Sequence, residues 1–124
     1  MFEFCSLRYL NTSSVSDATA TKVQFNTEVF DTDGCYDNSS NYRFTPTTAG
    51  KYYIYFVFIG AVAGVSRLSQ IAGQIYKNGS VYTETSIDNR SAGYGLSSAV
   101  TSVSTIDMNG SSDYVECYGY VNDD

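Results

Sequence analysis

Short runs of aromatic and β-branched residues, separated by polar turn-forming stretches, succeed one another along this chain, and no helical period lasts longer than one turn. Residues 2–10 (FEFCSLRYL) alternate well enough to form a first strand, and the small polar residues 11–20 (NTSSVSDATA) read as a connection. Short strands are expected over residues 22–26 and 28–30. They lead into an acidic turn, Asp31-Thr32-Asp33-Gly34, and a loop at 38–41. Residues 42–45 form another short strand, ended by Pro46, and residues 51–59 form the strongest one. After a loop around 60–69, strands at 74–77 and 80–83 flank Asn78-Gly79. Asn-Gly favours a two-residue hairpin, because both positions must take positive φ. Residues 88–95 read as loop, 100–108 as a strand, 109–112 as a turn and 114–121 as the last strand. About eight strands at such spacing predict an all-β fold, a two-sheet antiparallel sandwich without significant helix, with residues 1–124 as one domain.

One strand breaks the alternation. An antiparallel sandwich has one face in the core and one in water, so its strands should be apolar on one side only. In residues 51–59, Tyr52, Ile54, Phe56 and Phe58 take one side, while Tyr53, Tyr55, Val57 and Ile59 take the other. The second set would be an exposed apolar stripe, which soluble monomers rarely carry, so it predicts a contact between subunits. The competing reading is a cover supplied by the chain itself. In the last strand Val115, Cys117, Gly119 and Val121 suit a core, and Tyr114, Tyr118 and Tyr120 point the opposite way. Tyrosine buries a ring while keeping its hydroxyl hydrogen-bonded, so this row joins the expected interface.

Composition supports the strand reading. There are 12 Tyr and 7 Phe and a single Pro, with many Ser, Thr and Val, residues that suit a pleated surface. The net charge of -6, with only 7 scattered basic residues, argues against nucleic acid or an anionic membrane as partner. The most apolar stretch, residues 52–65, is too short to span a bilayer as a helix and holds Gly60 and Gly64. The start carries Glu3 and Arg8 without a long apolar run, so no secretory leader is expected there.

Candidate chemistry is sparse. The sequence has no His, which excludes the usual Ser and Cys triads, so no catalytic residue and no enzyme activity is expected. The carboxylate pairs Asp31/Asp33 and Asp88/Glu84 offer acid–base groups, but loop acids are ordinarily just solvated. Asp31, Asp33 and Asp37 make an oxygen-rich turn that could take calcium, although the twelve-residue EF-hand pattern is not matched. A plain acidic turn is the alternative, and no cofactor is expected. Cys5, Cys35 and Cys117 form no CxxC pair. They read as small buried hydrophobes, with a Cys5–Cys117 or Cys35–Cys117 bridge as the alternative. Asn11, Asn38, Asn78, Asn89 and Asn109 each begin an Asn-x-Ser/Thr sequon, relevant only to a secreted protein.

The stretch from Phe25 to Phe56 resembles the C1q-type globular domain, the jelly-roll relative of tumour necrosis factor. Phe25, Asp31 and Tyr36 have that family's spacing. Phe44 follows one residue late, and Gly50-Lys51-Tyr52-Tyr53-Ile54-Tyr55-Phe56 completes the motif with Ile54 where the family has Phe. Lys77-Asn78-Gly79 and Asp113-Tyr114-Val115 resemble later stretches of the pattern. The resemblance implies a jelly roll that forms a tight homotrimer. It makes Phe25, Tyr36, Phe44, Tyr52, Ile54 and Phe56 structural core positions and Gly50 a tight turn. The family ends with a further strand that is not recognisable before Asn122-Asp123-Asp124, so the sheet would close differently or take a segment from another chain. The family's collagen-like stalk is missing too. The wording of residues 27–56 is most similar to C1q-like domains of bacteriophage and other viral structural proteins. The expectation is therefore a homotrimer on a virion surface, made in the host cytoplasm: a capsid decoration or cement protein, or a fibre knob, bound to a major capsid or fibre protein. The alternative is a secreted or cell-surface recognition module that binds protein or carbohydrate through its loops.

Overall fold

The computed structural model describes residues 5–8, 14–92 and 95–124. Among them the only helical element is one 3-10 turn, Arg90–Ala92, and everything else that is regular is strand. The strands are β1 (Cys5–Arg8), β2 (Thr21–Lys22), β3 (Thr27–Asp31), β4 (Tyr36–Asp37), β5 (Arg43–Phe44), β6 (Gly50–Ala61), β7 (Leu68–Lys77), β8 (Ser80–Asp88), β9 (Ser97–Met108) and β10 (Val115–Asp123). Their pairings are all antiparallel. The expected all-β antiparallel class is the observed one.

Pairing divides the strands into three groups. β1 pairs with β3, and β6 pairs with β9 over the full length of both. The largest group runs β4-β5-β10-β7-β8, with β2 also pairing β10. The β6–β9 ribbon packs across β7 and β10, and the core lies between these two layers.

Side-chain parity builds that core. Tyr52, Ile54, Phe56 and Phe58 of β6 point inward opposite Ile106, Ser104, Ser102 and Val100 of β9. Ile71 and Ile75 of β7 meet them, and both are fully buried. Large residues need small ones across the gap. Gly119 pairs with Gly73 in the opposing sheet, and a Cβ on Gly119 would lie 2.3 Å from Phe58 Cε2. The ring therefore occupies the space the glycine leaves. Ser102 Oγ donates to the Gly73 carbonyl at 2.6 Å, which joins the layers at the same point.

The motif aromatics gather at one end of this core. Phe25 meets Tyr36 and Phe56 edge-on at ring separations of 6.5 and 6.0 Å, and Phe44 meets Tyr52 at 5.7 Å. The expected hairpin is present, with Asn78 at φ 51° and Gly79 at φ 82° between β7 and β8.

Some elements differ from expectation. β7 starts at Leu68, inside the stretch read as loop, and pairs with β10 along one edge and β8 along the other. Its first half holds one β-branched residue, Ile71, and no aromatic, so little in the sequence marks it as strand. β2 is only two residues long, and β4 forms at residues 36–37, between the expected turn at 31–34 and the expected loop at 38–41. Of the first predicted strand, residues 5–8 are β1, and residues 2–4, 9 and 10 lie outside the described set.

Candidate assembly surface

The outward face of β6 and β9 follows from the same parity. Tyr53, Tyr55, Val57 and Ile59 of β6 stand opposite Thr105, Val103, Thr101 and Ala99 of β9. No part of the described chain covers them: Tyr53 is 69% exposed, Tyr55 61%, Val57 42% and Ile59 72%. Val103 adds to the stripe at 40%. Isolated apolar residues on a surface need no explanation, but a contiguous row along one strand does. At its end Lys51 donates to Asp107 at 2.8 Å, both side chains in open solvent. The neighbouring carboxylate raises the Lys51 pKa, through the hydrogen bond first and charge second.

The tyrosines of β10 lie elsewhere. The sequence reading joined Tyr114, Tyr118 and Tyr120 with the β6 row, but the structure sets the two rows on opposite outer faces of the sandwich. Tyr118 faces out beside Gln74 of β7, on the side of β10 away from β6. That side is occupied by the chain itself. Tyr118 stacks on Tyr76 with ring centroids 4.0 Å apart. Burial raises the Tyr118 pKa, with the Glu116 charge adding to it. Glu116 is only 4% exposed and is bridged by Lys22 and by Arg43, the latter at 3.4 Å. The Arg43 guanidinium lies 3.9 Å above the Tyr114 ring. Gln74 donates to Glu84 on the same face. Tyr120 pairs opposite Ala72 and is half-buried.

The acidic turn does not assemble as a metal centre. Asp31 accepts the backbone N–H groups of Cys35 and Tyr36 at 3.0 and 2.8 Å, which shapes the turn into β4. Asp37 accepts those of Ser39, Ser40 and Asn41, and these bonds hold its carboxyl far below the usual range. Asp33 is exposed beside them. Among the described residues no group of three or more acidic, Cys or His side chains is placed to hold a metal ion. Of the second carboxylate pair, Asp88 is bound by Arg90, which lowers its pKa, and Glu84 is held by Gln74.

Cys5, Cys35 and Cys117 are thiols, not disulfides. Burial pushes Cys5 and Cys117 up to about 12, with Asp31 adding to the first and Glu116 to the second. Such thiols stay protonated and are poor nucleophiles. Burial likewise raises Tyr36, which Cys117 and Cys5 adjoin.

Sequence reasoning missed the β9 half of the stripe. Its signal was legible in the alternation of Ala99, Thr101, Val103 and Thr105 against Val100, Ser102, Ser104 and Ile106. Val81 and Tyr82 of β8, about half-exposed, were missed as well. Compared with known proteins, the sequence matches no family model and no curated protein.

Proposed function

We propose that this chain is a non-enzymatic structural subunit that assembles with copies of itself through the outer face of β6 and β9. The observation that carries the reading is the uncovered row of Tyr53, Tyr55, Val57 and Ile59, continued by Val103 on the paired strand. Association removes that apolar area from water, at roughly 25 cal/mol per Å² before the costs of ordering are subtracted. Tyrosines at its centre supply large rings at little entropic cost, the usual make-up of an interface core.

The resemblance to C1q-type jelly rolls supports a homotrimer as the form of that assembly. The resemblance to viral members favours a role on a virion surface, as a capsid decoration or cement protein or a fibre knob. The lack of His and the capped carboxylates of the acidic turn are in keeping with a chain that does no chemistry.

Analytical ultracentrifugation of the purified chain tests the assembly. A stable mass three times the 13.6 kDa protomer is expected, and a clean monomer overturns the reading. Mass spectrometry of purified particles then tests the virion placement, which fails if the chain is absent from them.

A further inference from the structure

The register of β9 fixes where its backbone groups point. The Val62 N–H donates to the Leu96 carbonyl at 2.9 Å, and these two residues continue the pairing of Ala61 with Ser97. Opposed residues of an antiparallel pair alternate between those that exchange hydrogen bonds and those that do not. The even-numbered residues of β9 therefore bond to β6, and the odd-numbered ones turn N–H and C=O to the other edge. The chain itself closes both ends of that edge. The Gly95 carbonyl accepts the Leu68 N–H at 2.8 Å, and Lys77 Nζ donates to the Asp107 carbonyl at 2.6 Å. Between these points the backbone groups of Ser97, Ala99, Thr101, Val103 and Thr105 have no partner among the described residues, and all five residues are exposed. Open edges invite another strand, and proteins ordinarily blunt them with a bulge, charge or proline. The neighbouring edge strand β8 is blunted: its pairing with β7 shifts between Ile75 and Tyr76, and it carries Glu84 and Asp88. β9 is not. It pairs with β6 over twelve residues without a shift, and residues 97–105 hold no proline and no charge.

We propose that this edge joins two copies of the chain, β9 against β9, across a twofold axis at Thr101. A second copy fits because the open stretch is its own complement. With Thr101 facing its own copy, Ala99 faces Val103 and Ser97 faces Thr105, so the five open residues satisfy one another. On the inner side Ser98 meets Ser104 and Val100 meets Ser102. No charge opposes another, and Asp107, whose carbonyl Lys77 already holds, falls outside the paired stretch. The two ribbons become one continuous sheet in the order β6-β9-β9-β6. This contact uses the edge of β9, whereas the proposed assembly surface uses the outer face, so neither depends on the other. With both present, trimers are linked to one another. Backbone pairing covers less apolar area than the stripe does, so the edge closes at higher protein concentration than the face.

The test uses the full chain carrying Tyr53→Lys and Tyr55→Lys, which remove the face contact. Its sedimentation mass is expected to double between about 10 µM and about 1 mM protein. Adding Thr101→Pro is expected to hold the protomer mass throughout, since proline removes the central N–H and is tolerated on an open edge. Cysteine substitutions in the same background fix the register. Thr101→Cys lies about 5.5 Å from its own copy at Cα, within disulfide range, so oxidised glutathione should give a covalent dimer. Ala99→Cys lies about 13 Å from its own copy and should give none. An unchanged mass at about 1 mM overturns the proposal, as does doubling that survives Thr101→Pro or equal crosslinking by both cysteines. Should Thr101→Pro fail to fold, the two cysteine variants decide alone. Failure of the face reading shows separately, as a wild-type mass equal to that of the double lysine variant at every concentration.

Discussion

The two outer faces of this sandwich carry similar aromatic rows and treat them in opposite ways. On the β10 side, Tyr118 lies flat on Tyr76, Tyr114 lies under the Arg43 guanidinium, and Glu116 is held between Lys22 and Arg43. On the β6 side, Tyr53 and Tyr55 stand beside Thr105 and Val103 with more than half of each side chain in water. An aromatic row is therefore not by itself an interface. The β10 row spends its rings on partners within the chain, and only the β6 row is left with surface to give to another molecule.

Replacing both Tyr53 and Tyr55 by Lys should break that difference most visibly. Charges at the centre of an apolar contact cost far more than they would on a free surface, so the sedimentation mass should fall threefold to the protomer. The variant should stay folded, because both residues already face solvent. Tyr118→Lys is the matched control on the other face. It should leave the mass unchanged and lower stability by about 1 kcal/mol, as the stacked pair is lost. If Tyr118→Lys dissociates the assembly and the double variant does not, the two faces have been assigned the wrong way round.

Glu116→Ala probes the covered face from within. Removing the carboxylate leaves Lys22 and Arg43 without their shared partner. Complete loss of a partner in a fully buried pair is severe, but here both cations keep about a quarter of their side chain in water. The expected destabilisation is about 2 kcal/mol in urea titration. The assembly mass should not change at protein concentrations where the fold persists.

These two faces also mark how far the sequence could be read. The doubled apolar pattern over residues 51–59 was legible because alternation fixes which side chains share a side, and β6 kept that parity over its full length. Asn78-Gly79 was legible because few dipeptides tolerate two left-handed positions. The separation of the two tyrosine rows was not, because parity is a property of one strand, whereas the face it presents depends on which sheet the strand joins. β10 joined β7, and β6 joined β9. The first half of β7 was hidden for a different reason: residues 68–73 (LSQIAG) hold one β-branched residue and no aromatic, so little marks them as strand. The buried Ser102 has meaning only through the Gly73 carbonyl of the opposite layer, which local pattern does not reveal.

Below the covered face, Cys117 should report on the core through pH. Its folded pKa is raised to about 12 from 9.0, so the folded state holds the proton more tightly than the unfolded chain. The stabilising contribution is complete below pH 9.0 and is lost as pH rises from there toward 12. The slope is at most about 1.4 kcal/mol per pH unit for each such group. Cys5 works in the same direction over the same window. Urea titrations on both sides of pH 9.0 should therefore show stability falling on the alkaline side, and Cys117→Val should flatten that fall. An unchanged slope in the variant would mean that the thiol is not shielded as its place on the core side of β10 implies.

The smallest effect belongs to the polar end of the open face. Lys51 and Asp107 form a bridge in the structure, yet both side chains are more than two-thirds exposed, where water screens the attraction and ordering two flexible groups offsets what remains. Lys51→Ala should leave the urea midpoint unchanged within error if the bridge lies outside the subunit contact. The same substitution should raise the dissociation concentration of the assembly if the contact extends over that end of β6, because the Asp107 carboxylate would then be desolvated without its partner each time subunits meet. Sedimentation across a dilution series separates the two results, and with them locates the boundary of the interface along the strand.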